Sequence, residues 1–169
     1  MKIFRDRKSL NSEVSDHKRI AFVPTMGALH RGHISLIKKA KKRSKKVLVS
    51  IFVNPKQFNS KKDFKKYPRK IKDDIKILKN IKVSYLYIPT NGDIYSFKPK
   101  TKIYLDSFSK ILCGKFRPFH FKAVVDVVNR FLDIIKPQFL YLGMKDFQQL
   151  SLIQSHIIKN KIKTDLIQC

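Results

Sequence analysis

The chain has 169 residues, and its 38 Lys and Arg against 12 Asp and Glu give a formal net charge of +26. That length fits one ordinary domain, and 43% hydrophobic residues supply a sizeable core, which argues against wholesale disorder. No apolar run reaches the roughly 18 residues of a membrane span, and the N-terminal MKIFRDRKSLNSE turns charged too early for a signal peptide. Cys113 and Cys169 are far apart and form no CxxC pair, which disfavours a disulfide framework or a zinc ribbon. A reducing, cytoplasmic setting is the expectation. The charge invites a nucleic-acid reading, yet 30 of the 38 basic residues are Lys, scattered over nearly every segment. Base readout and bidentate phosphate gripping favour Arg, so drift of the coding sequence towards Lys, Ile and Asn explains the excess better.

Along the chain, Arg19–Pro24 reads as a buried strand followed by the turn TMGALHRGH. Residues 33–43 read as a helix with Ile34, Ile37 and Ala40 on one face. Val47–Val53 is a second buried strand, halted by Asn54 and Pro55. An amphipathic helix over 70–80 uses Ile71, Ile75 and Leu78, and Val83–Ile88 is a third strand. Residues 89–118 read as irregular. A long helix follows over 120–136, ended by Pro137, then a strand at Gln138–Leu142, a helix over 146–159 and a last strand over 162–168. This alternation predicts an α/β, Rossmann-like doubly wound parallel sheet over residues 1–169, with strand-to-helix loops gathered at its carboxyl edge.

Three of those loops carry polar residues suited to chemistry. In the first, Met26, Gly27, Ala28, Leu29, His30, Arg31, Gly32 and His33 lie between strand and helix, where glycines admit a ligand to the backbone and free amides attract phosphate. His30 and His33 can donate to phosphate oxygens, although two surface histidines or an adventitious metal site fit the same pattern. In the second, Asn54 and Gln57 offer amides that suit a hydroxy acid, with ordinary turn chemistry at Asn-Pro as the competing reading. In the third, Gly143, Met144, Lys145 and Asp146 precede a helix that Asp146 is placed to cap, while Lys145 can neutralise phosphates. Tyr67 is a candidate pocket wall, His120 and Arg117 lean towards structural roles, and His17 and His156 read as surface residues.

PTMGALHRGH resembles the nucleotide-binding signature of the pantothenate synthetases (pantoate–β-alanine ligases), within the wider HxGH nucleotidyltransferase group. SIFVNPKQF at Ser50–Phe58, Tyr67-Pro68-Arg69, and the stretch from Arg117 to Leu150 extend the resemblance over essentially the whole chain. It implies ATP-dependent joining of (R)-pantoate and β-alanine through a pantoyl-adenylate, with Mg²⁺, in a homodimer. It assigns ATP contacts to the loops at 26–33 and 143–146, catalytic roles to His33, His30 and Lys145, and pantoate contacts to Gln57 and Gln149. Asn54 and Tyr67 join the substrate side. His33 takes the main role because it is expected to begin the helix, where dipole and imidazole act together. No metal ligand is assigned.

Three departures stand out. The family's Gly in RPGHF is Phe119, and if that Gly has positive φ in the family either Phe119 is strained or the loop is rebuilt; the family's next Gly is Ala123. Its Glu in GEKD is Met144. The family continues past this point with an SSRN-like loop and a smaller C-terminal domain, neither of which lies within these 169 residues. The sequence therefore matches the family's N-terminal domain, as part of a longer product or as a shortened chain. The rival readings are a catalytically impaired remnant, a basic nucleic-acid-binding protein and another HxGH nucleotidyltransferase, the last disfavoured by VNPKQF and KDFQQL.

Overall fold

The computed structural model describes residues 1–15 and 19–169. His17 lies outside them. Among the described residues six parallel strands form one sheet: β1 (Lys2–Phe4), β2 (Ile20–Thr25), β3 (Lys46–Ile51), β4 (Tyr85–Tyr87), β5 (Phe139–Leu142) and β6 (Asp165–Gln168), in the order β1-β4-β3-β2-β5-β6. The chain builds outward from β2 through β3 to β4 on one side, then returns to add β5 and β6 on the other. The order thus reverses between β2 and β5, which is where open α/β sheets leave a crevice beyond the strand ends.

Side-chain alternation along the strands sends residues to two cores. Phe22, Leu48 and Leu140 face one side, where they pack with α1 (Arg7–Val14), α7 (His120–Ile135) and α8 (Phe147–Lys159). Ala21, Val23, Val47 and Val49 face the other, under α2 (Arg31–Arg43) and α4 (Ile71–Asn80). α7 is apolar nearly all round because it runs buried across the sheet, and Phe131 stacks against Phe22 at 5.4 Å. Short helices α3 (Lys61–Lys66), α5 (Asn91–Tyr95) and α6 (Cys113–Phe116) fill the connections. Among the described residues no helix is long and apolar enough to cross a membrane.

The expected strands and long helices are present, each within a few residues of its predicted bounds. β1, α1, α3 and the short helices inside 89–118 were not expected. α1 has only Leu10 and Val14 in the core, and Asp6 caps it by accepting the Ser9 N–H at 2.8 Å. α2 begins at Arg31, so His33 sits in its first turn and His30 is the cap, which corrects the expected start at 33. His156 is fully buried, not at the surface. Its Nδ1 accepts the Tyr104 N–H at 3.1 Å and its Nε2 faces Asn129 Oδ1 at 3.1 Å, tying the 96–106 segment to α7 and α8.

Candidate active site

A cavity of about 430 Å³ opens at the β2/β5 crevice. Its floor is apolar, from Phe52, Val127, Val128, Phe131 and Leu142. Its polar rim comes from His30, His33 and Lys39 on one side, Gln57 and Tyr67 on another, and Lys145, Asp146 and Gln149 on a third. Met26, Gly32, Gly143 and Cys169 complete the wall. An apolar floor with a few converging polar groups is the usual build of a small-molecule site. A larger groove of about 590 Å³ lies at the other end of α7, beside Arg7, Lys98, Lys100 and Lys136, and holds none of the motif residues.

The loop from β2 to α2 is shaped by internal hydrogen bonds. Thr25 Oγ1 donates to Ser50 O at 2.7 Å and accepts the Gly27 N–H at 3.2 Å. Gly27 (φ +81) and Ala28 (φ +50) both have positive φ, which turns the chain sharply between the strand and the helix. The Ala28 and Leu29 amides bond Asp74 Oδ2 and Oδ1 at 2.9 and 2.7 Å. The Gly32 amide bonds His30 Nδ1 at 3.1 Å, and the His30 amide bonds His33 Nδ1 at 3.4 Å. These amides, expected to be open to phosphate, are therefore taken up by side chains. Gly27, Ala28, Leu29 and Arg31 do not line the cavity, and the loop presents Met26 and the two imidazoles instead.

Because each Nδ1 accepts an N–H, a neutral ring carries its proton on Nε2. That leaves an Nε2–H donor on each histidine at the cavity rim. Burial holds the His33 pKa below its ordinary value, and the neighbouring His30 charge pushes the same way, while Asp74 opposes them. The neutral donor form of His33 is thus favoured near neutral pH.

Gln57 is held from both ends. Its side-chain Nε2 reaches Met26 Sδ at 3.0 Å, and its backbone carbonyl oxygen accepts from His120 Nδ1 at 2.8 Å. His120 therefore supports the pocket from behind, in keeping with the structural role expected of it. Asn54 does not face the cavity. It is buried, its Oδ1 accepts from the Lys56 N–H and the Tyr95 hydroxyl, and its Nδ2 donates to Ala123 O, so the turn reading of Asn-Pro prevails there. Tyr67 lines the rim and stacks edge-on against Phe58 at 5.6 Å, and burial raises its pKa.

At the third loop, Gly143, Lys145 and Asp146 line the cavity. Asp146 occupies the cap position of α8 but makes no side-chain capping bond, which corrects the expectation. Met144 points outward, exposed, with its N–H bonded to Cys169 O at 2.7 Å. Phe119 keeps a left-handed backbone (φ +66) and is 79% exposed, so the strained alternative holds. Gln148, next to the rim residue Gln149, is instead structural: its Nε2 donates to Phe108 O and Ile111 O. Sequence reasoning missed Asp74. Its signal was a carboxylate set among Ile71, Ile75 and Leu78 on the apolar stripe of α4.

A family model for pantoate–β-alanine ligase matches residues 2–169. The pantothenate synthetase of Francisella tularensis subsp. novicida (strain U112) is 46% identical over 95% of this chain, which covers 62% of that protein. The crystal structure of the F. tularensis pantoate–β-alanine ligase complexed with beta-gamma ATP and beta-alanine matches all of this chain. The TM-score is 0.94 and the identity 44%, and 66% of that chain is covered. Pantothenate synthetase from Thermus thermophilus matches with the same TM-score of 0.94 at 30% identity, with 61% of its chain covered. The chain therefore spans less than two thirds of the length of these relatives. Together with the cavity and its loops, these matches establish that the chain belongs to the pantoate–β-alanine ligase family.

Proposed function

We propose that the chain carries the nucleotide- and pantoate-binding part of an ATP-dependent pantoate–β-alanine ligase. A carboxylate is a poor electrophile, so it must be activated before an amine can attack. The (R)-pantoate carboxylate attacks the α-phosphorus of ATP, and pyrophosphate leaves from the pantoyl-adenylate. The β-alanine amine then attacks the acyl carbon, loses a proton and expels AMP. Holding carboxylate and α-phosphate in line supplies much of the rate.

The observation that carries this reading is the division of the cavity rim. Two imidazole Nε2–H donors and Lys145 suit phosphate oxygens, where they would stabilise charge developing at phosphorus. Gln57 and Gln149 suit a hydroxy acid, whose carboxylate and hydroxyls need donors and acceptors together. Among the described residues no cluster of three His, Cys, Asp or Glu could cage a metal, and Asp146 is the cavity's carboxylate. In this reading Mg²⁺ would be carried on the nucleotide phosphates, where it would neutralise their charge, and Asp146 is the lining carboxylate that could hold it. A homodimeric state and a cytoplasmic setting belong to the same reading.

Calorimetric titration of ATP and of (R)-pantoate tests the division. Lys145→Ala is expected to weaken ATP about tenfold and leave pantoate unchanged, and Gln149→Ala the reverse. Equal losses for both ligands in both variants would sink it.

A further inference from the structure

Among the described residues Asp74 is the only buried carboxylate, 2% exposed, and it does not line the cavity. Burying a charge is costly unless it is hydrogen-bonded, and here both oxygens are used on one object. Oδ2 accepts from the Ala28 amide and Oδ1 from the Leu29 amide. Two successive amides, of Ala28 and Leu29, thus converge on one carboxylate, the kind of amide concavity that elsewhere holds an anion. In this loop the anion is a side chain of α4. A Cβ added at Gly27 would meet Asp74 Oδ2 and Ile51 Cγ2 at 3.0 Å, so the loop is seated directly on the carboxylate.

Ala28 has no glycine's freedom, so its left-handed backbone is strained. Charge-assisted bonds from a buried carboxylate are strong enough to offset that. Two residues further on, His30 caps α2 and its ring stacks on His33. The position of both imidazoles relative to Lys145 therefore depends on a loop that Asp74 holds from outside the cavity.

We propose that Asp74 is a positioning residue for the nucleotide: it fixes the 27–29 loop so that His30 and His33 present their Nε2–H groups to the phosphates. The proposal rests on the nucleotide reading above. Asp74→Asn keeps the size but replaces one acceptor oxygen by a donor, so one of the two loop amides loses its partner.

The test uses the ¹⁵N-labelled chain, wild type and Asp74→Asn, titrated with ATP in Mg²⁺ buffer and separately with (R)-pantoate. Hydrogen exchange of the Ala28 and Leu29 amides and the melting temperature are followed in parallel. Positioning predicts faster exchange of at least one of the two amides, ATP affinity lower by about tenfold, and pantoate affinity within about twofold. ATP affinity unchanged despite a released loop overturns the proposal. So does an equal loss of both ligands in step with a lowered melting temperature, which is what a purely structural role gives. Wild-type chain that binds pantoate but not ATP overturns the nucleotide reading and this role with it. If Asp74→Asn does not fold, Asp74→Glu is read instead. It keeps charge and acceptors, but its extra methylene crowds Gly27, so ATP affinity falls by a smaller factor; unchanged affinity there overturns the proposal.

Discussion

The rings of His30 and His33 stack with centroids 4.0 Å apart, and His33 Nδ1 accepts the backbone N–H of His30 at 3.4 Å. An imidazolium at 33 would place a proton on that Nδ1 and break the bond. The exchange reaction that reports adenylate formation is therefore expected to be flat above pH 6.5 and to fall as pH is lowered. The fall is centred below 6.5 because burial depresses the His33 pKa. A pH–rate profile checks this, and a rate that rises towards acid would show that the cation is the working form. His33→Ala is expected to cost about a hundredfold in adenylate formation and much less in ATP binding.

His120 Nδ1 donates to the backbone carbonyl of the pocket residue Gln57. Burial, with Arg117 adding to it, lowers the His120 pKa, so at neutral pH the ring is a neutral Nδ1–H donor to the Gln57 carbonyl. His120→Ala removes that donor and is expected to weaken pantoate about tenfold while sparing ATP. His120→Asn places an amide N–H near the same position and should recover most of the affinity. Titration calorimetry on the pair decides it; an Asn variant no better than Ala contradicts the positioning role.

Phe119 holds a left-handed backbone while its ring stays exposed, so no packing offsets the strain. Substituting Gly removes roughly 1–2 kcal/mol of strain and adds about 0.5–1 kcal/mol of unfolded-state entropy. Phe119→Gly is thus expected to raise the melting temperature by about 1–4 °C. A clear drop, read by calorimetry, would mean that the exposed ring makes contacts that matter.

His156 is buried neutral, with desolvation holding its pKa below 6.5. Below pH 6.5 the unfolded chain takes up a proton that the folded chain refuses, so stability falls as pH falls towards the lowered folded value. His156→Ala leaves Asn129 and the Tyr104 amide without this partner and is expected to cost about 3 kcal/mol at pH 7. The same variant should flatten the acid slope of stability. Urea unfolding at pH 5.5 and 7.5 measures both, and an unchanged slope would assign the acid sensitivity elsewhere.

How legible the fold was depends on how each element is buried. β2 and α7 announce themselves because Ile20–Val23 and the Val124–Ile135 stretch carry dense apolar residues at the right period. α1 does not, since Leu10 and Val14 are its only core residues and Asp6 does the capping. The start of α2 was misplaced because Gly32 reads as loop, whereas His30 caps the helix two residues earlier. The candidate site was legible where its residues sit on short motifs: His30, His33, Gln57, Lys145 and Gln149 all line one cavity. It was not legible where partners are distant in sequence. Asp74 meets the loop from 45 residues away. His156 finds Tyr104 from 52. Asn54 looked like a ligand residue because Tyr95 and Ala123, which consume its amide, are also far along the chain.

The most direct measurement is ATP–pyrophosphate exchange by this 169-residue chain in Mg²⁺ buffer, with and without (R)-pantoate. An adenylating cavity at the β2/β5 crevice predicts exchange that requires pantoate and is lost in His33→Ala. Absence of exchange with both substrates bound, or exchange indifferent to pantoate, would contradict it.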